Sequence, residues 1–327
     1  MKYIMSCIAA LTASTASADV ARAVDDYILP GYATFAQTAT TLSEGATSDC
    51  TIAAMRPAWH DAFDAWINIS HLHFGPIEQD GRAVIIAFWP DGRSAGVRTL
   101  ARLVATQDDV ISTPEGTAQL SAAARGFYAL EYLLFDPQFD DTGAYGCALR
   151  RALAADLANI ATQVTDAWQT GYGATLRNAG APDNQIYLTE REGVQALFTS
   201  LLAGLEFDID NRLGRPLDTF ERPRPTRAEN WRSERSQHNI LISLQGLKSL
   251  KDTLSDAQTP VTDAAFARAF AKLEQLDDPA FANVADPQGR FKVEVLQQTL
   301  RDIAVAAEVE LSDLLGVQAG FNAADGD

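Results

Sequence analysis

Apolar residues recur at helical spacing along nearly the whole chain, and convincing alternation with a period of two is scarce. The pattern predicts an all-α protein, with helices over 20–43 (bent near Pro30-Gly31), 51–71, 94–106, 114–135, 147–169, 190–213, 227–255, 262–275 and 292–315. Thr113-Pro114-Glu115 and Thr259-Pro260 supply start signals, a capping hydroxyl followed by a proline whose missing N–H is no loss in a first turn. A run of turn formers from Gly171-Tyr172-Gly173 to Gly180-Ala181-Pro182-Asp183-Asn184 divides the pattern. At 327 residues two helical units are expected ahead of a single core, an N-terminal bundle over 19–175 and a C-terminal bundle over 176–327. Arg56-Pro57-Ala58-Trp59 and Arg227-Ala228-Glu229-Asn230-Trp231 each place a Trp near the start of a helix that ends in glycine. This faint echo predicts related bundles, with Trp59 and Trp231 in similar surroundings.

Residues 1–18 read as an export signal: Lys2 gives a positive start, 4–13 an apolar core, and Ala16-Ser17-Ala18 a small-residue cleavage site, so that the mature chain begins at Asp19. Ile4-Met5-Ser6-Cys7 also loosely fits a lipidation site at Cys7. No later apolar run approaches the roughly 18 residues of a membrane span, and export without a stop signal points to the periplasm. With 26 Lys and Arg against 43 Asp and Glu, the formal charge of −17 repels nucleic acid and anionic lipid. Cys50 and Cys147, both beside turn-like residues, are free to pair in an oxidising compartment; the alternative is two unrelated thiols.

One carboxylate stands out. Glu131 lies inside GFYALEYLLF, a run that is apolar on nearly every helical face, and a buried carboxylate needs an Arg, a set of hydrogen-bond donors or a metal to offset its charge. An Arg such as Arg82 or Arg98 is expected ahead of a metal, and on that reading Glu131→Gln destabilises the fold. The connection from Phe74 to Arg93 crowds Glu78, Asp80, Arg82, Trp89, Asp91 and Arg93 together and is the candidate functional loop, against the reading of an ordinary solvated connection. The histidines His60, His71, His73 and His238 contain no pair four apart on one helix face, so the usual zinc-hydrolase ligand pair is missing. There is no nucleophile elbow, phosphate loop or dinucleotide fingerprint, and Asp136, Asp140 and Asp141 lack the order of a calcium loop.

Gly126-Phe127-Tyr128-Ala129-Leu130-Glu131 resembles the G-x-H-x-x-E segment of the imelysin-like family, peptidase M75 in name, with Tyr128 where the family has histidine. Trp59 and Trp66 ahead of Phe74-Gly75-Pro76, then Phe88-Trp89-Pro90-Asp91, Arg212-Leu213-Gly214-Arg215-Pro216-Leu217, Trp231-Arg232-Ser233 and the terminal Gly320-Phe321-Asn322-Ala323-Ala324-Asp325-Gly326-Asp327 follow in the family's order. The resemblance covers almost all of the mature chain and implies two related helical bundles side by side. It also implies a metal pair from the motif His and Glu, three apart on one face. Here a phenol replaces the imidazole and ligates only when deprotonated, as a ferric ion can enforce; the remaining metal candidates are Glu131 and His73, with iron as the implied ion. The expected function is non-catalytic binding of iron or an iron–ligand complex in the periplasm, associated with iron uptake, in a cleft near Glu131 and the 78–93 loop. The alternatives are a metal-dependent peptidase of the M75 type and an envelope scaffold, joined to a protein partner, with no small-molecule site.

Overall fold

The computed structural model describes residues 19–318; the segment read as an export signal, Cys7 and the terminal glycine-rich string lie outside the described residues. The described chain is helical throughout, its only ladder-type contact an isolated bridge between Thr219 and Arg222. The principal helices are α1 (Leu29–Ser48), α2 (Ile52–Ile69), α3 (Ala95–Thr106), α4 (Gly126–Phe135), α5 (Gly143–Ala167), α6 (Glu190–Glu206), α7 (Ser236–Leu254), α8 (Pro260–Glu274) and α9 (Pro287–Leu315). In the first half α1 lies between α2 and α5, and α4 packs on α2 and α5; in the second, α6 and α8 pack on both α7 and α9.

The turn chemistry explains where these helices begin. Thr51 caps α2, Thr189 and Glu192 form a reciprocal capping box on α6, and Asp286 accepts the N–H groups of Gln288 and Gly289 at the start of α9. Pro30 can donate no backbone hydrogen bond, and the segment just before it, Ala23–Ile28, is wound as a π-helix.

Two expected helices are interrupted. The 114–135 stretch is a short helix, Pro114–Ala118, then a turn, then α4, because Arg125 is extended and Gly126 has φ +68°. A Cβ on Gly126 would come within 2.2 Å of the Ile85 carbonyl oxygen and 2.3 Å of that of Ile86, so glycine is required both for the angle and for the approach. Arg125 uses the extension to reach α5, where it forms a two-pronged pair with the buried Asp156 at 2.8 and 2.7 Å. The 227–255 helix likewise starts only at Ser236, since Asn230 and Glu234 both have positive φ and the chain before Ser236 is a compact turn. Trp59 and Trp231 are therefore not equivalent. Trp59 is fully buried in α2 with its indole N–H on the Phe127 carbonyl, whereas Trp231 is half-buried in the turn, under the guanidinium of Arg232.

The halves meet through small residues and polar side chains. α7 crosses α2 so closely that a Cβ on Gly246 would lie 2.1 Å from the Asn68 carbonyl oxygen, and one on Gly204 of α6 would lie 2.7 Å from the Cβ of His71. Buried apolar side chains form one cluster that runs through both halves. Cys50 and Cys147 are joined as a disulfide, with Cα atoms 5.3 Å apart, tying the entry to α2 to the first turn of α5. No described helix is long and apolar enough to cross a membrane.

The bridge closes 97 residues of chain, for which the loop-entropy argument gives about 4.7 kcal/mol of stabilisation. Replacing both cysteines by serine is expected to remove most of that. Urea unfolding of the oxidised protein and the double variant measures it directly; coincident midpoints would show that the bridge constrains nothing.

Candidate functional site

Glu131 is 4% exposed on α4, and its partner is neither Arg82 nor Arg98. Arg82 is held near its own loop, on the Pro76 carbonyl at 3.0 Å and on Asp80 at 3.5 Å, and Arg98 donates to the Arg93 carbonyl. Instead one carboxylate oxygen of Glu131 accepts both the backbone N–H (3.2 Å) and the hydroxyl (2.7 Å) of Ser233, in the turn before α7. Burial raises the pKa of Glu131, while the Ser233 donors, the charge of Arg232 and the Asn230 amide pull the other way. The correction to the sequence expectation has a simple cause: a turn with positive-φ residues can aim a backbone N–H into the interface, and short neutral donors then suffice.

One helical turn earlier, Tyr128 donates a 2.5 Å hydrogen bond to the buried Glu229. The other oxygen of Glu229 accepts from Arg212 at 2.7 Å and from Asn239 at 2.8 Å, and Arg212 also donates to Asp208 at 2.5 Å. All of these side chains are buried. Burial, and then the charge of Glu229, hold the Tyr128 phenol far above its ordinary pKa, so it serves as a neutral donor. Burial pushes Asp208 up to about 6 against the pull of Arg212. Beside this network Arg235 donates to Asn239 at 2.7 Å, to His60 at 2.8 Å and to Asp64, clamping the turn onto α2.

In front of Glu131 lies a cavity of about 360 Å³ with walls from both halves: Trp89, Asp91, Tyr128 and Tyr132 on one side, Arg215, Asn230 and Arg232 among those on the other. Trp89 and Tyr128 stack with ring centres 6.4 Å apart and also line a second, larger cavity of about 560 Å³ with Trp66, His71 and Phe207. The aromatic pair is thus a partition. Part of the second cavity's wall is the π-helical segment Phe207–Leu213, which also carries Asp208 and Arg212.

Of the loop candidates, Trp89 and Asp91 reach the first cavity, but both oxygens of Asp91 are engaged by the N–H groups of Ala95 and Gly96 at the start of α3. Glu78 and Arg93 are exposed, and Arg82 is bound within its loop. Gly126 acts through the backbone of α4. His73 lines the second cavity and Glu131 the first, so the two metal candidates do not converge. Among the described residues no three His, Cys, Asp or Glu side chains lie together as an ion site. A resident ion held by protein side chains alone does not fit this donor set: Glu229 is already engaged by three donors and Tyr128 keeps its proton. Sequence reasoning missed Glu229, Asp208, Asn239 and Asn230. The i, i+4 spacing of Asp208 and Arg212 was a visible sign of a helical ion pair, but nothing local marked it as buried.

Since Ser233 supplies only neutral donors, an amide at position 131 can accept both. Glu131→Gln is expected to change stability by less than about 1 kcal/mol, whereas Glu131→Leu, which strands both donors, should cost about 2–3 kcal/mol in urea unfolding. Equal losses in the two variants would require the negative charge itself.

Acid should weaken the fold through its histidines. Burial and nearby positive charge push His71 from the usual 6.5 down to about 3 and His60 down to about 4. Below about pH 6.5 the unfolded chain therefore takes up protons that the folded chain refuses, and stability falls as pH falls towards about 3. Asp208 works in the opposite sense: its contribution is full below its unfolded 3.8 and is lost as pH rises through about 6. The melting temperature of His71→Asn is expected to fall less steeply than that of the unaltered protein between pH 6.5 and 4. An unchanged slope would assign the acid sensitivity to other groups.

The imelysin sequence profile, peptidase M75, matches residues 28–307. The chain is 24% identical over 323 residues to "Iron-regulated protein A" of Synechococcus elongatus, covering 89% of this chain and 85% of that protein. An imelysin-like protein of Psychrobacter arcticum 273-4 has the same fold, with a TM-score of 0.77 at 22% identity over 92% of this chain and 96% of that one. A protein of Parabacteroides distasonis described as an iron-regulated protein A precursor superposes with a TM-score of 0.71 at 12% identity, covering 88% and 91%. With the profile spanning most of the chain and the all-helical architecture matched across nearly its whole length, this protein belongs to the imelysin family, peptidase M75.

Proposed function

We propose that this protein is a periplasmic, non-catalytic binding protein associated with iron uptake, whose cargo is iron or an iron–ligand complex seated in the cavity in front of Glu131. The observation that carries the reading is that cavity: both halves build it, and Tyr128 and Glu131, in the segment that resembles the family motif, form part of its wall. Small-molecule sites favour clefts between packed units with a few fixed polar groups among aromatics, and volumes of roughly 300–1,000 Å³. The name of the Synechococcus relative, Iron-regulated protein A, supports the link to iron, and the disulfide agrees with an oxidising compartment. Tyr128, standing where the resembling motif has histidine, weakens a metal-dependent peptidase, and no convergent ligand set is present among the described residues to support one. The envelope-scaffold reading draws its support from the mutual pairing of Glu229, Arg212 and Asp208, which turns these charges towards one another at the junction of the halves.

Purification from the native periplasm followed by elemental analysis and isothermal titration tests the proposal. Iron is expected to be retained, or to bind as an ion or complex, at one equivalent per chain, with no hydrolysis of casein. Hydrolysis abolished by chelators would replace binding by the peptidase reading. Absence of both binding and hydrolysis would leave the scaffold.

A further inference from the structure

The cavity in front of Glu131 is rich in arginine where the protein as a whole is acidic. The chain carries a formal charge of −17, yet Arg215, Arg227 and Arg232 all line this one space, against Asp91 and Glu131 as its acids. Arg227 and Arg232 are backed by carboxylates, Asp218 at 2.9 Å and Asp136 at 2.8 Å, which cancel part of their charge. Arg215 is not. Among the described residues it makes no hydrogen bond or ion pair; its Nε is buried without a partner, and the group lies over the Trp89 ring at 5.6 Å. Burial, and then the repulsion of Arg227, lower its pKa, with Asp218 pulling the other way. Asn230 is 2% exposed and its oxygen is taken by Asn239 at 2.8 Å; its nitrogen forms no full hydrogen bond, and the amide acts only on Glu131, whose pKa it lowers.

The Arg215 Nε without a partner and the loosely held Asn230 amide thus border a cavity whose acids are largely engaged elsewhere. Asp91 spends both oxygens on α3, and one oxygen of Glu131 is taken up by Ser233. Buried donors are ordinarily satisfied, so what is missing is an acceptor, and a planar guanidinium fork fits a carboxylate best. The same fork repels a bare metal cation. Resting on the binding function proposed above, we infer that the cavity takes its cargo as a polycarboxylate anion, free or carrying iron, held by Arg215, Asn230 and Arg232 against the aromatic wall of Trp89, and does not take a bare iron ion.

Isothermal titration of the full mature chain with citrate, ferric citrate, ferrous sulfate and a neutral ferric hydroxamate tests this. Citrate, ferric citrate or both are expected to bind, with ferrous ion and the neutral chelate silent; which of the first two binds tells free from iron-loaded cargo. Arg215→Gln should weaken the bound probe by about 10- to 100-fold, and Arg215→Lys by less, because charge without the fork is retained. Thermal melts establish that each variant is folded, and Arg227→Gln, at the rim, provides a second reading of the same charge dependence should Arg215→Gln fail to fold. Binding of ferrous ion or of the neutral chelate without citrate would overturn the inference while leaving iron binding intact. Silence from all four probes would overturn both.

Discussion

Glu229 is the constraint on which the junction of this protein depends. A carboxylate 2% exposed between two helical halves is tolerable only with several donors, and it has three, from α4 (Tyr128), the π-helical segment (Arg212) and α7 (Asn239). Each donor comes from a different element, so satisfying one charge fixes the relative position of three. The cost of leaving any of them unpaired is what gives this interface a single register, since apolar packing alone tolerates small slides.

That demand reaches back into the backbone. To bring Glu229, Asn230 and Ser233 to the interface, the chain before α7 gives up helical geometry and holds Asn230 and Glu234 at positive φ, with Arg235 anchoring the far end on α2. The first half makes a parallel concession at Gly126, which lets α4 begin against the carbonyls of Ile85 and Ile86 while Arg125 reaches Asp156.

The cavity follows from the same geometry. Tyr128 and Glu131, three apart on α4, face the turn, and the gap between turn and loop is bordered by Trp89, Arg215 and Arg232. Because Glu229 is satisfied from the protein side and Glu131 accepts from Ser233, the clearest group at the cavity left without a partner is a donor, the Nε of Arg215. In an acidic protein this makes the cavity a local exception, and a low-dielectric pocket lets such an exception act at short range.

The hydrophobic period by itself determined the helical class, the positions of most long helices and the burial of Glu131, because an apolar stripe has to be covered whatever covers it. Two turn-flanked cysteines sufficed to anticipate their pairing. Local periodicity was blind to the breaks at Gly126 and Asn230, since both arise from approaches by residues tens of positions away: Ile85 and Ile86 in one case, Glu131 and Tyr128 in the other. For the same reason Arg82 and Arg98 were plausible partners for Glu131 on charge alone, while the real donor, Ser233, is 102 residues distant and neutral. A sequence shows which groups must be compensated. Which group does it is decided by where the chain crosses itself, and only the tertiary structure contains that.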